Sequence, residues 1–156
     1  MPRRVLASFH RITIFDHQKK FKINKNCIIR IVKKILSDEK ISRAELSVVF
    51  VNRRQIQAFN RRFLKRSYAT DVLAFNLSDS KSALVGDIII STDAAALYAR
   101  TKNLPVGQEI ILYVVHGILH LLGYDDHNKK DITRMRRKEE KTMGKISTLI
   151  PRALIK

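Results

Sequence analysis

Cysteine is almost missing from this chain of 156 residues: Cys27 stands alone. One thiol forms neither an internal disulfide nor a thiolate metal cluster, so a disulfide scaffold and a cysteine-built zinc domain are both excluded. Any metal here is held by His, Asp or Glu. Long apolar runs are missing as well. The longest, residues 110–115, falls far short of the ~20 residues a membrane span requires. The basic start, MPRRVLASFHRITIF, is interrupted by His10 and Arg11 and makes a poor signal peptide. The expectation is a soluble cytoplasmic protein with no membrane partner. Repeats, low-complexity segments and Gly/Ser linkers are also lacking. Residues 1–156 therefore read as a single domain, with Met1, Pro2 and the tail beyond Met143 expected to fray.

Acidic residues are scarce: 14 Asp and Glu stand against 31 Lys and Arg, a formal net charge of +17. Self-repulsion of that size opposes compaction, and the usual compensation is a polyanionic partner, nucleic acid before an anionic membrane. The cations cluster. Arg61, Arg62, Lys65 and Arg66 crowd one segment, and Arg134 and Arg137 belong to a second. Each run taken alone is equally a solvated helix face. Together with the overall charge they point to RNA, bound through phosphate contacts that give affinity without sequence information.

Hydrophobic periodicity predicts strands over 5–15, 45–51, 72–77 and 83–92. It predicts helices over 27–36 and over 52–63, the latter capped by Asn52 with Ile56, Phe59 and Phe63 as its buried stripe. Three more helices come after these: one from Asp93, one from Pro105 to Gly123, and a charged one over 131–143. This order predicts an α+β fold, a small mixed four-stranded sheet with helices packed on it.

The chemistry gathers in the segment HGILHLLGYDDH. His116 and His120 are four apart, which on a helix puts both rings on one face. Gly123 suits a left-handed helix end, after which His127 can swing back towards the pair. Three imidazoles make a catalytic zinc set, with the fourth position left for water. The bland alternative is a pair of ordinary core histidines, but unpaired buried imidazole nitrogens are costly and call for a shared partner. In H-E-x-x-H proteases the residue after the first histidine is the glutamate base, whereas here it is Gly117, which disfavours a peptidase. Asp71 and Asp126 are candidate catalytic groups. Asp87 and Asp125 are candidates for orienting a metal-bound histidine.

His116 to His127 resembles the signature of the YbeY family of bacterial endoribonucleases. Thr70-Asp71-Val72-Leu73-Ala74-Phe75 is similar to its T-D-V-L-S-F segment, Gly86-Asp87-Ile88-Ile89-Ile90-Ser91 to its G-D-I-x-I-S strand, and Asn60-Arg61-Arg62-Phe63 to its N-R-x-Y helix end. The resemblance spans about residues 45–140. It implies one zinc ion on His116, His120 and His127, and cleavage of ribosomal RNA during maturation and ribosome quality control. Two departures stand out. An extra aspartate in the Asp125-Asp126 step lengthens the turn before His127, and Leu64 occupies a place where the family often has an arginine. Arg62, Lys65 and Arg66 are the nearby substitutes, and the resemblance adds Arg66 to the catalytic candidates. Two other classes stay open: an RNA-binding ribosome-assembly factor with a structural metal, and a metal-dependent hydrolase of another substrate.

Overall fold

A computed structural model describes residues 7–67, 70–152, 154 and 155. Four strands form one mixed sheet: β1 (Phe9–Asp16), β2 (Arg43–Val51), β3 (Val72–Asn76) and β4 (Leu84–Ser91). Their order is β1-β2-β4-β3, with β1, β2 and β4 parallel and β3 antiparallel to β4. Five α-helices complete the described residues: α1 (Lys25–Asp38), α2 (Arg53–Leu64), α3 (Thr92–Lys102), α4 (Val106–Leu121) and α5 (Lys129–Ile146). This is the expected α+β architecture. Residues 5 and 6 of the expected first strand lie outside the described residues, as do Met1 and Pro2.

Period-two alternation splits the sheet's side chains between two cores. Leu46, Val48 and Phe50 of β2 and Ile88 and Ile90 of β4 join α1, α4 and α5 in the larger one. The intervening Val51 and Ile89 face Leu73 and Ile56 in a smaller cluster under α2. Local chemistry fixes the helix starts. Asn24, Ser91 and Asn128 each accept a backbone N–H from the first turn of α1, α3 and α5. Asn52 and Gln55 form a reciprocal capping box on α2. The expected stripe on α2 needs one correction. Ile56 is buried, but Phe63 is 53% exposed, and Asn60 lies inward in its place.

Helix α4 is central: Ile110, Ile111, Val114, Val115, Ile118 and Leu119 are all fully buried. Apolar residues all round a helix mean contact on every side, and α4 packs on α1, α3, α5, β3 and β4. Gly117 makes the approach to the sheet possible, since a Cβ there would lie 2.4 Å from Ile88 Cγ2. The position that carries glutamate in zinc proteases therefore faces β4 and has no room for a side chain. The described residues beyond Met143, where fraying was expected, instead pack on the core. Helix α5 continues to Ile146, fully buried, and Leu154 is 1% exposed. Its backbone pairs with Asn24, and Ile155 bridges to Ile23. Burial of these isolated apolar residues outweighs the ordering entropy that favours fraying at a terminus.

Candidate metal centre

Helix α4 carries His116 and His120 one turn apart, and its C-terminal end shapes the turn beyond them. Gly123 adopts φ +95°, the Gly123 N–H donates to the His120 carbonyl, and the Tyr124 N–H donates to the Leu119 carbonyl. This left-handed double closure reverses the chain over the histidines. Their Nε2 atoms lie 3.0 Å apart, with ring planes 83° apart. Asp126 comes back over them, and its Oδ2 is 3.6 Å from each Nε2. A tetrahedral ion with arms of ~2.0–2.1 Å separates neighbouring donor atoms by ~3.3 Å. The observed triangle brackets that spacing, so His116, His120 and Asp126 fit a metal ion.

His127 stands differently. Its side chain is 82% exposed, and its Nε2 lies 3.2 Å from Asp125 Oδ1, not beside the other two rings. Asp126, one residue before His127 in the turn, points inward at the pair where a third histidine was expected. His127 still lines the same cleft.

The electrostatics suit metal binding. Burial, and next the adjacent His116, hold the His120 imidazole below its ordinary pKa, although Asp126 and Asp125 oppose them. A neutral ring offers the lone pair that a metal requires. Glu139 of α5 supplies what sequence reasoning missed: its Oε1 accepts from His116 Nδ1 at 2.5 Å. That bond fixes the His116 tautomer and turns the Nε2 lone pair towards Asp126 and His120. Among the described residues, Asp87 makes no hydrogen bond to either ring; it sits on β4 opposite Ser47 and Phe75. Asp125 Oδ1 lies 3.2 Å from the Nε2 of the exposed His127 and accepts the Asp126 N–H of its own turn.

The rings open into a cleft of about 650 Å³ between β3, α4 and the ends of α2 and α5. Asp71, Asp126 and Arg66, the catalytic candidates, all line it, and so do Leu64 and Glu109. Arg61, Arg62 and Lys65 are exposed on the last turn of α2, the Arg62 guanidinium 5.4 Å over the Phe63 ring. Arg134 and Arg137 are exposed on α5, with Arg134 5.2 Å over Tyr124. Glu109 is 4% exposed, and its Oε2 has no hydrogen-bond partner among the described residues. Burial first, then the charges of Asp71 and Glu139, push its carboxyl above the ordinary range. No helix among the described residues is long and apolar enough to cross a membrane.

A mixed sheet that backs a helix-borne histidine pair, with a carboxylate hinged over it, defines a metal-site cleft of the hydrolase type. Residues 13–147 match the family model described as Endoribonuclease YbeY, and the chain belongs to that family. Curated relatives of that name include one from Syntrophus aciditrophicus, 38% identical over 83% of this chain and 85% of its own length. Another, from Syntrophotalea carbinolica, is 36% identical over 86% of this chain and 95% of its own. The solution structure of TM1509 from Thermotoga maritima shares the fold, with a TM-score of 0.59 at 24% identity over 90% of this chain and 93% of that one.

Proposed function

We propose that this protein is a zinc-dependent endoribonuclease that cuts single-stranded RNA in the cytoplasm, during ribosomal RNA maturation and ribosome quality control. The donor triangle on α4 carries this reading, set at the mouth of a cleft in a chain of net charge +17. Family membership supports endonuclease action on RNA. One zinc ion, held by His116, His120 and His127, would supply Lewis acidity at the scissile phosphate. To join the set, His127 has to give up its contact with Asp125 and turn inward. Glu139 holds His116 in register. Arg66, with Arg61, Arg62 and Lys65 outside the cleft and Arg134 and Arg137 on α5, holds the RNA backbone and offsets charge at phosphorus.

A second reading of the ligand set rests on the 3.6 Å approach of Asp126 to both rings: two histidines and Asp126, with His127 left in solvent. Zinc titration of Asp126→Asn and His127→Ala separates the two, because only the true ligand's variant loses affinity. The reading as a whole is tested with end-labelled ribosomal RNA and with wild type and His120→Ala purified side by side. Cleavage by wild type alone, abolished by chelator and restored by zinc, is the expected result. Equal cleavage by both proteins would overturn it.

A further inference from the structure

Glu109, Tyr113, His116 and His120 succeed one another along a single stripe of α4, so Glu109 and Tyr113 extend the cleft beyond the histidines, away from the 125–127 turn. This end has two features the metal does not use. Buried Glu109 has an oxygen, Oε2, with no hydrogen-bond partner among the described residues. Two tyrosines, Tyr98 from α3 and Tyr113, lie beside it; both line the cleft, and Tyr98 is 46% exposed. Buried polar atoms are nearly always satisfied, so an orphaned carboxyl facing a cleft marks a place for a ligand's donor.

The surroundings select the donor. Asp71 and Glu139 line the same cleft and act on the charge of Glu109. Three carboxyl groups make this end rich in acceptors and unfavourable to phosphate, whereas the cations are Arg61, Arg62, Lys65 and Arg66 at and just past the end of α2 and Arg134 and Arg137 on α5. A second metal ion is not the occupant, because no three metal-ligating atoms there lie within 4.8 Å of one another among the described residues. An RNA strand has the matching division, an anionic backbone and bases that carry N–H donors and π-faces.

We propose that this end of the cleft is a nucleobase subsite, in which Glu109 accepts from the exocyclic amino group of an unstacked adenine, cytosine or guanine and Tyr98 and Tyr113 flank the ring. Uracil lacks that amino group, and its one base-pairing donor, N3–H, sits between two carbonyl oxygens that would face a wall of acceptors, so it is the rejected base. The subsite deepens the RNA-cleavage reading and rests on it for its biological role, but its test does not depend on cleavage.

The test titrates AMP, CMP, GMP and UMP separately into the full-length protein, monitored by amide NMR shifts. The three amino-bearing nucleotides are expected to bind at least about fivefold more tightly than UMP and to shift Glu109 and Tyr113, because a site built to pair a donor rejects the analogue without it. Glu109→Met should bring all four affinities level without lowering Tm, since the Oε2 it removes has no hydrogen-bond partner among the described residues. Tyr98→Ala, at an exposed position, should weaken all four alike. Equal binding of the four by wild type, preference retained in Glu109→Met, or full affinity in Tyr98→Ala would each overturn the subsite. A protein that discriminates among the nucleotides but cuts no RNA would sink the nuclease reading and leave the subsite standing. The converse result would do the opposite.

Discussion

Gly117→Ala perturbs the helix that carries both histidines, and the structure fixes the sign of its effect. On helix propensity alone, alanine gains about 1 kcal/mol over glycine. The new methyl, however, would sit 2.4 Å from Ile88 Cγ2, where ordinary contact begins at 3.4 Å, so helix or strand has to yield by about 1 Å. Overpacking costs about 1–3 kcal/mol, and a clash this close in a fully buried layer belongs near the top of that range. The net loss is then about 2 kcal/mol. At about 2–4 °C per kcal/mol for a chain of this size, Tm should fall by about 4–8 °C. The same substitution in an Ile88→Ala background removes the colliding atom, leaving only the propensity gain, so alanine there should be stabilising by about 1 kcal/mol. The coupling between the two sites is therefore about 3 kcal/mol. Thermal and urea unfolding of the four proteins of this cycle, all metal-free, measures it. A rise in Tm for Gly117→Ala alone, or equal effects in both backgrounds, would refute the packing argument and reopen the question of why glutamate is missing here.

Glu139→Gln keeps the shape but loses the charge on His116 Nδ1, so zinc affinity should drop by about 10–100-fold in competition with a chromophoric chelator; unchanged affinity would dismiss the orienting role. Glu109 holds its proton longer in the folded than in the unfolded chain, so it lowers stability as pH rises from near 4.5 through its folded value. Glu109→Gln should accordingly stabilise more at pH 8 than at pH 4, read as the difference in Tm from wild type; a pH-independent difference would contradict that assignment. Arg62→Ala and Arg134→Ala should weaken single-stranded RNA binding alike for all sequences and lower the salt slope by about 0.7 per lost contact. A sequence-selective loss in either would move that arginine from phosphate to base.

The elements legible in the sequence were those governed by period: β4 alternates with buried Ile88 and Ile90 against Ile89, and α4 repeats the pattern that puts His116 above His120. Two local readings failed for a shared reason. Phe63 and the tail beyond Met143 were judged by their own composition, but Asn60 takes the inward place on α2, and Leu154 finds a pocket offered by α1 and α4. Neither outcome is encoded within one turn of the residue concerned. Gly117 was noticed for the base it cannot be. Its actual constraint comes from Ile88, which lies 29 residues away on another element.

The site divides the same way. The pair on α4 needs only helical spacing, whereas the third ligand depends on the phase of an irregular turn. One residue more or less in such a turn changes which side chain faces the pair, so Asp126 and His127, neighbours in the turn, compete for that place. Glu139 gave no signal, because its partner is 23 residues earlier and α5 reads as a charged, solvated helix. Glu109 did give one: a lone carboxylate inside the apolar run of α4, seven residues before His116 and so on the same face. A charge that interrupts the most buried helix of a fold is costly unless something answers it. Among the described residues nothing pairs its Oε2, which points to what enters the cleft as the answer.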